Sequence, residues 1–351
     1  MSKNTCLITG GAGFIGCALS RELAGAFDEL VVVDNLHPQI HADHRRPDAL
    51  APHAALHVAD VTEAGTWDRL FADFDPTVVI HLAAETGTGQ SLTEATRHAA
   101  VNVVGTAQLL DGLARHAMAP KRFVLSSSRA VYGEGAWRNA EGGLVYPGQR
   151  TRSQLEAGQW DFPGLSPRPF SAESTRPSPI SVYGATKLAQ EHLMSAWSHA
   201  FGSEVVTLRL QNVYGPGQSL TNSYTGILPL FARIAKAGQS IPLYEDGCML
   251  RDFVFIDDVA RALAKVALCG APSAQPYDIG SGRAATIGET ARIIAARYNA
   301  PAPHVCGKYR HGDVRHASSE IEQTRADLGW EPQVDLQEGL DRLCRWIDER
   351  M

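Results

Sequence analysis

Two residues four apart open the case for chemistry. Tyr183 and Lys187 share one face of a helix if the segment is helical, about 6 Å apart along its axis. A free tyrosine titrates near ~10, too high for a base at neutral pH. An ammonium beside it favours the phenolate and lowers that value. Such a pair can take a proton from an alcohol while its carbon gives up a hydride. By itself the spacing equally fits two unrelated surface residues. Its place in the chain argues for more, because it follows a glycine-rich segment, an acidic residue closing an apolar run, and a serine cluster, Ser126-Ser127-Ser128.

The glycine-rich segment carries Gly10, Gly13 and Gly16, with Phe14 and Ile15 between the last two. The spacing is GxxGxxG. Its physics is a tight turn, close backbone approach to a pyrophosphate, and a helix N-terminus aimed at the anion. It follows a strand-like run and opens an apolar helical pattern, the context a dinucleotide loop needs. Asp34, with Asn35 beside it, closes the second run. A carboxylate there accepts both adenosine ribose hydroxyls and repels a 2′-phosphate, so NAD is favoured over NADP. Asp60 and Val61 follow the third run and would sit near the adenine. For both aspartates a strand-end turn is the competing reading.

These residues need a frame, and the apolar pattern supplies one. β-Branched runs at 5–9, 29–34, 55–59, 77–82 and 121–126 alternate with helical segments such as 14–26 and 93–117. The rhythm predicts an α/β fold, a Rossmann-type doubly wound parallel sheet. A helix to about Phe201 and a strand at 204–210 follow the Tyr–Lys pair. The last third is helix-rich, with candidates near 226–238, 257–268, 286–299 and 336–349. Thr286 with Glu289 three residues on reads as a capping box. This part is expected to form a smaller substrate-binding domain over the carboxyl edge of the sheet. The expected division is 1–208 for dinucleotide binding, with 246–272 returning to it, and 209–351 for most of the substrate domain. One stretch, 134–176, breaks the rhythm with Gly142-Gly143 and several prolines. Connections that long are usually functional or mobile.

Bulk properties narrow the classes. The 351 residues are 44% hydrophobic, enough for a real core. A net charge of -6 argues against a broad nucleic-acid surface. Six scattered cysteines without a CxxC pair read as reduced thiols, and no clustered ligands suggest a metal site. No apolar run approaches the ~20 residues of a membrane span, and no signal peptide is evident. The expectation is a cytoplasmic protein with no membrane, nucleic-acid or metal partner.

Taken jointly, TGGAGFIG at 9–16, HLAA at 81–84, Asn102, SSSRAVYG at 126–133, YGATK at 183–187, RLQNVYGPGQ at 209–218 and RDFVFIDDVARAL at 251–263 resemble the extended short-chain dehydrogenases. That group includes the NAD-dependent epimerases and dehydratases of nucleotide sugars. The resemblance covers essentially the whole chain. It implies NAD as cofactor, with Leu82, Ala83, Ala84 and Asn102 added to the cofactor site. Ser128 takes the place of the family's catalytic Ser/Thr, and Lys187 would also hold the nicotinamide ribose. It implies a nucleotide-sugar substrate met by Thr86, Ser127, Ser128, Arg129 and Asn212. Arg251 and Arg315 resemble the family's phosphate-contacting arginines, and Glu245 and Asp313 are candidates for the nucleotide ribose. Relatives commonly pair through helices, so a homodimer is expected.

In the related 4,6-dehydratases an Asp-Glu pair follows the catalytic Ser/Thr. Here Arg129 and Ala130 stand there, so the acid needed to expel a hydroxyl is missing and an epimerase is favoured. Two segments, 133–161 and 222–231, resemble a narrower branch, the dTDP-L-rhamnose 4-epimerases. A UDP- or GDP-hexose 4-epimerase remains the near alternative, and a silent NAD-binding sensor on the same fold the distant one.

Overall fold

Valine, isoleucine and leucine runs with no polar face become strands buried on both sides. In chain order, β1 (Thr5–Thr9), α1 (Phe14–Glu22), β2 (Glu29–Asp34), β3 (Ala54–Val58), α2 (Ala64–Phe71), β4 (Val78–His81), α3 (Ala95–Ala99), α4 (Gly105–Arg115) and β5 (Arg122–Ser128) build the first half. Then come β6 (Trp137–Arg138), β7 (Leu144–Val145), α5 (Arg152–Glu156) and β8 (Ser166–Pro167), followed by α6 (Val182–Phe201) and β9 (Glu204–Leu210). The remainder holds β10 (Asn212–Tyr214), α7 (Ile227–Lys236), β11 (Pro242–Leu243), β12 (Leu250–Phe255), α8 (Ile256–Cys269) and β13 (Tyr277–Ile279). It ends with β14 (Ala284–Thr286), α9 (Ile287–Arg297), β15 (His304–Val305), β16 (His316–Ala317), α10 (Glu322–Leu328) and α11 (Leu336–Asp348). The computed structural model describes residues 3–41, 43–220 and 226–351.

Seven parallel strands in the order β13-β9-β5-β4-β1-β2-β3 form the main sheet. Alternate strand residues serve opposite cores. Ile8, Val32, Val124 and Leu208 pack with Val259 and Leu263 of α8. Leu7, Val31, Val79 and Phe123 pack on the other face with Trp67 of α2, Leu109 of α4 and Met194 of α6. A second core, with Phe231, Phe253, Ile294 and Leu343, joins α7, α9 and α11 to β12. The Rossmann-type sheet and the smaller helix-rich part are therefore both present.

Several details differ from the sequence expectation. The helix expected over 14–26 stops at Glu22, and the chain turns on Gly25 at φ 74. The segment 93–117 is broken by a π turn at Ala100–Val104, in which Asn102 is the buried residue, and such bulges are frequent at functional sites. The three-residue β13, too short to register as a run, completes the sheet against β9. Together with α8 it carries the chain back to the large layer. Of the capping box only Thr286 is seen, accepting from the Glu289 N–H at 3.0 Å. The stretch 134–176 is a built unit. Its β6 pairs with β7 and β8, and Trp137 and Phe170 are fully buried. Its prolines sit in short edge strands and turns, where no central ladder is interrupted. Among the described residues no helix is long and apolar enough to cross a membrane, and no cluster of His, Cys, Asp and Glu could hold a metal ion.

Candidate active site

The chain leaves β1 on Gly10 at φ 66. A Cβ there would lie 2.7 Å from the Ala83 backbone, so only glycine lets the loop rest against the exit of β4. At Gly16 a Cβ would lie 2.4 Å from Gly11. Gly13 caps α1 without a side chain, which leaves the first N–H groups of the helix to meet an anion. A cleft of about 480 Å³ runs from this loop along the strand ends. Gly10, Gly13, Phe14, Ile15, Gly16, Asp34, Asn35, Val61, Leu82, Ala83, Ala84 and Thr86 line it, as do Ser127, Ser128, Tyr183 and Lys187. The Asp34 carboxylate accepts the N–H of Ala12 at 3.0 Å and of Leu36 at 2.9 Å. It therefore steadies the glycine loop as well as facing the cleft.

Two candidates stand beside the cleft, Asp60 half-buried and Asn102 fully buried. Asp60 accepts from Thr62 N and Oγ1 at 2.8 and 2.7 Å and from Asn35 Nδ2 at 3.1 Å. Asn102, fully buried, accepts the Glu85 N–H at 2.7 Å and donates to the Glu85 carbonyl and to Thr186 Oγ1. It thus ties the cleft edge to α6, and neither residue lines the cleft.

Ser181 caps α6, accepting from the Gly184 N–H at 3.0 Å. A Cβ on Gly184 would come within 2.4 Å of the Ala130 carbonyl, so glycine lets the helix press against the turn after β5. That contact brings Tyr183 to the same cleft as Ser128. Burial raises the Tyr183 pKa, while Ser128 and the Arg129 charge pull it down. Lys187, one turn on, is 2% exposed. Burial draws its pKa down to about 7, with Glu191 opposing. Ser127 lines the cleft, but its hydroxyl donates to Glu191 Oε1 at 2.5 Å. Glu191 in turn pairs with Arg209 at 2.7 Å.

Beyond Tyr183 the wall turns cationic. Arg129 Nε donates to Asn212 Oδ1 at 2.8 Å. Burial and the Arg251 charge lower the Arg129 pKa to about 9, against Asp313, Tyr183 and Glu134. Burial also lowers that of Arg251, which Asp313 opposes. Two desolvated guanidiniums sharing one acidic neighbour make a ready anion site. Arg315 does something else. Its five N–H donors are all engaged by Asp161, Glu245 and Asp246 at 2.7–3.2 Å. No donor remains for a phosphate. Glu245, 1% exposed, is shared between Arg315 and Arg150. Both therefore build the wall where the resemblance placed them in contact with substrate.

Sequence reasoning missed Glu134, Arg150, Asp161 and Asp246. Glu134 accepts the Arg315 backbone N–H at 2.9 Å, and Arg150 donates to the Asp313 carbonyl at 2.8 Å. These partners stand far apart in the chain, and no local spacing announces them. Of the substrate-side segment 222–231, residues 222–225 lie outside the described residues.

Fold and site define a dinucleotide-binding enzyme with a tyrosine in the cleft at the carboxyl end of a Rossmann sheet. The chain belongs to the NAD dependent epimerase/dehydratase family, whose profile matches residues 6–280. It is 59% identical over 345 residues to the dTDP-L-rhamnose 4-epimerase of Burkholderia thailandensis, covering 98% of this chain and 95% of that one. Among solved structures it resembles the UDP-glucose 4-epimerase of Thermotoga maritima with UDP-glucose, at TM-score 0.81, 27% identity and 99% coverage of both chains. The UDP-glucose 4-epimerase of Thermus thermophilus in complex with NAD gives TM-score 0.78 at 27% identity, covering 99% of this chain and 100% of that one.

Proposed function

We propose that this chain is an NAD-dependent nucleotide-sugar 4-epimerase interconverting dTDP-L-rhamnose and dTDP-6-deoxy-L-talose. The observation that carries it is the convergence of Tyr183, Lys187 and Ser128 on the cleft, in a chain 59% identical to a dTDP-L-rhamnose 4-epimerase. The glycine cradle, the Asp34 carboxylate and the open α1 N-terminus fit NAD. Held by the glycine loop and Asp34, it would supply the hydride acceptor, and then the hydride donor, for the sugar C4. Tyr183 accepts the C4 hydroxyl proton, and Ser128 holds that oxygen and relays the proton. Lys187 supplies positive charge that favours the phenolate. Arg129, Arg251 and Asn212 hold the diphosphate, and Asp313 orients the two arginines. A 6-deoxy sugar has no C6 hydroxyl to expel, and Arg129 and Ala130 stand where a dehydratase would carry its acid pair, so the 4-keto sugar turns over in the site. In this reading 1–208 with the returning α8 and β13 binds NAD, and most of 209–351 binds the sugar nucleotide. The scattered free cysteines suit a reducing compartment, and the reading includes a cytoplasmic homodimer, to be checked by fractionation and sedimentation.

Proton NMR after separate incubation with dTDP-L-rhamnose, UDP-glucose and GDP-mannose tests the substrate. The expected result is a C4-inverted product from dTDP-L-rhamnose without accumulation of reduced nicotinamide. Stoichiometric NADH would mean a dehydrogenase, and loss of water a dehydratase. Faster inversion of UDP-glucose would move the chain to another branch.

A further inference from the structure

Beneath Lys187 lies a buried polar chain that the reaction itself does not use. Lys187 Nζ donates to Gln190 Oε1 at 2.6 Å. Gln190 is fully buried, as are His81 and Thr106. An ammonium has three donors and no acceptor, so Gln190 must turn its oxygen toward Lys187 and its NH2 inward. That NH2 donates to Thr106 Oγ1 at 2.8 Å and reaches His81 Nε2 at 3.1 Å. Thr106 donates its own proton to the Asn102 carbonyl at 2.6 Å, so it accepts from Gln190. His81 Nε2 then accepts the second amide hydrogen and carries no proton, with Thr106 Oγ1, at 2.9 Å, able to share its own hydrogen between that nitrogen and the Asn102 carbonyl. The imidazole proton sits on Nδ1, facing Thr9 Oγ1 at 2.7 Å. Thr9 Oγ1 also accepts the Ala83 N–H at 3.2 Å, at the cleft edge. The charge state of one lysine thus dictates an amide orientation and a histidine tautomer across two strands.

We propose that Gln190 and His81 are positioning residues that hold the Lys187 ammonium toward the cleft through this chain. The proposal rests on the reading of Lys187 given above. A neutral amide suits the task better than a carboxylate. It fixes the ammonium while leaving its field undiminished at Tyr183. Burial, with the Lys187 charge adding to it, holds the His81 pKa down to about 3, so the ring stays neutral as the chain requires. The charged and titratable groups around Lys187 are Tyr183 and Glu191 on α6, His81 on β4, and Arg209 on β9, which Glu191 engages. The facing serines of β5 and Thr106 of α4 carry no charge. A satisfied core histidine would need only the bonds to Thr9 and Thr106. It would not need an amide aimed at a catalytic cation.

Two readouts on the full-length protein test this. The first is the pH profile of kcat with dTDP-L-rhamnose. Gln190→Met removes the acceptor, which favours the neutral amine. Its kcat should fall about tenfold with KM within about twofold, as expected of lost positioning, and the alkaline limb should move about one unit lower. Gln190→Glu keeps an acceptor on Nζ and should hold that limb at or above its wild-type position. An unmoved limb in Gln190→Met, or equal losses in both variants with no shift, overturns the proposal. Should Gln190→Met fail to fold, a limb in Gln190→Glu below the wild-type one does the same. The second readout is two-bond 15N–1H NMR of the wild type, with His81 assigned by its absence in His81→Gln. It should show the Nδ1–H form between about pH 6 and 9, and an Nε2–H form overturns the chain. Activity surviving in Lys187→Met would instead sink the assigned role of Lys187. Absence of turnover would sink the proposed substrate, and the tautomer would still decide the chain.

Discussion

In the cofactor cleft, the groups that meet a ligand are mostly backbone: the loop around Gly10 and Gly13 and the first turn of α1. In the wall around Arg315, side-chain charges meet one another. The first region works because side chains are missing, so that Ala83 lies where a Cβ would be. The second works because charges from β6's flanks, the 245–246 turn and the 313–316 segment converge in one buried place. A backbone-made site depends on short spacing along the chain. A charge-made wall depends on partners that only folding brings together, and an arginine in it is as apt to be structural as to bind phosphate.

Four changes would break or sharpen this contrast. The largest effect is expected from Tyr183→Phe, which should lower kcat ~10²-fold or more and leave NAD binding, read by titration, intact. Retention of a tenth of the activity would remove Tyr183 from the mechanism. Next comes Arg315→Ala. Leaving Glu245 with Arg150 alone, and Asp161 and Asp246 without their guanidinium partner, should cost ~1–3 kcal/mol in urea unfolding. A folded, equally stable variant with a raised KM would return Arg315 to the phosphate-binding role.

Glu134 gives a pH test of the same wall. Burial raises its pKa to about 7, opposed by the Arg315 N–H and Arg150. The folded state therefore holds its proton more tightly than the unfolded chain. Its contribution is fully present below about pH 4.5 and is lost as pH rises through about 7. The change is on the order of 3 kcal/mol. Glu134→Gln cannot titrate, so the decline in urea midpoint between about pH 5 and 8 should shrink. An identical decline in the variant would mean the slope arises elsewhere. The smallest effect is expected in the cleft. Asp34→Asn should weaken NAD about tenfold and narrow its advantage over NADP, measured by titrating both cofactors. Unchanged discrimination would leave Asp34 only its bonds to Ala12 and Leu36.

What the sequence by itself determined are the features made within a few residues. The GxxGxxG spacing, the acid closing β2, the Tyr-x-x-x-Lys turn and the alternating strand–helix rhythm all became what their local chemistry required. Each depends on helix pitch, strand period or glycine's freedom, and those act at short range. Tertiary structure decided the rest. It added β13 to the sheet, turned 134–176 into a packed layer, buried Asn102 behind the cleft, and closed Arg315 and Glu245 into a wall. Residue type reveals that a charge is present. Only the fold decides which charge it meets, because desolvation makes a buried ion seek whatever partner folding places beside it.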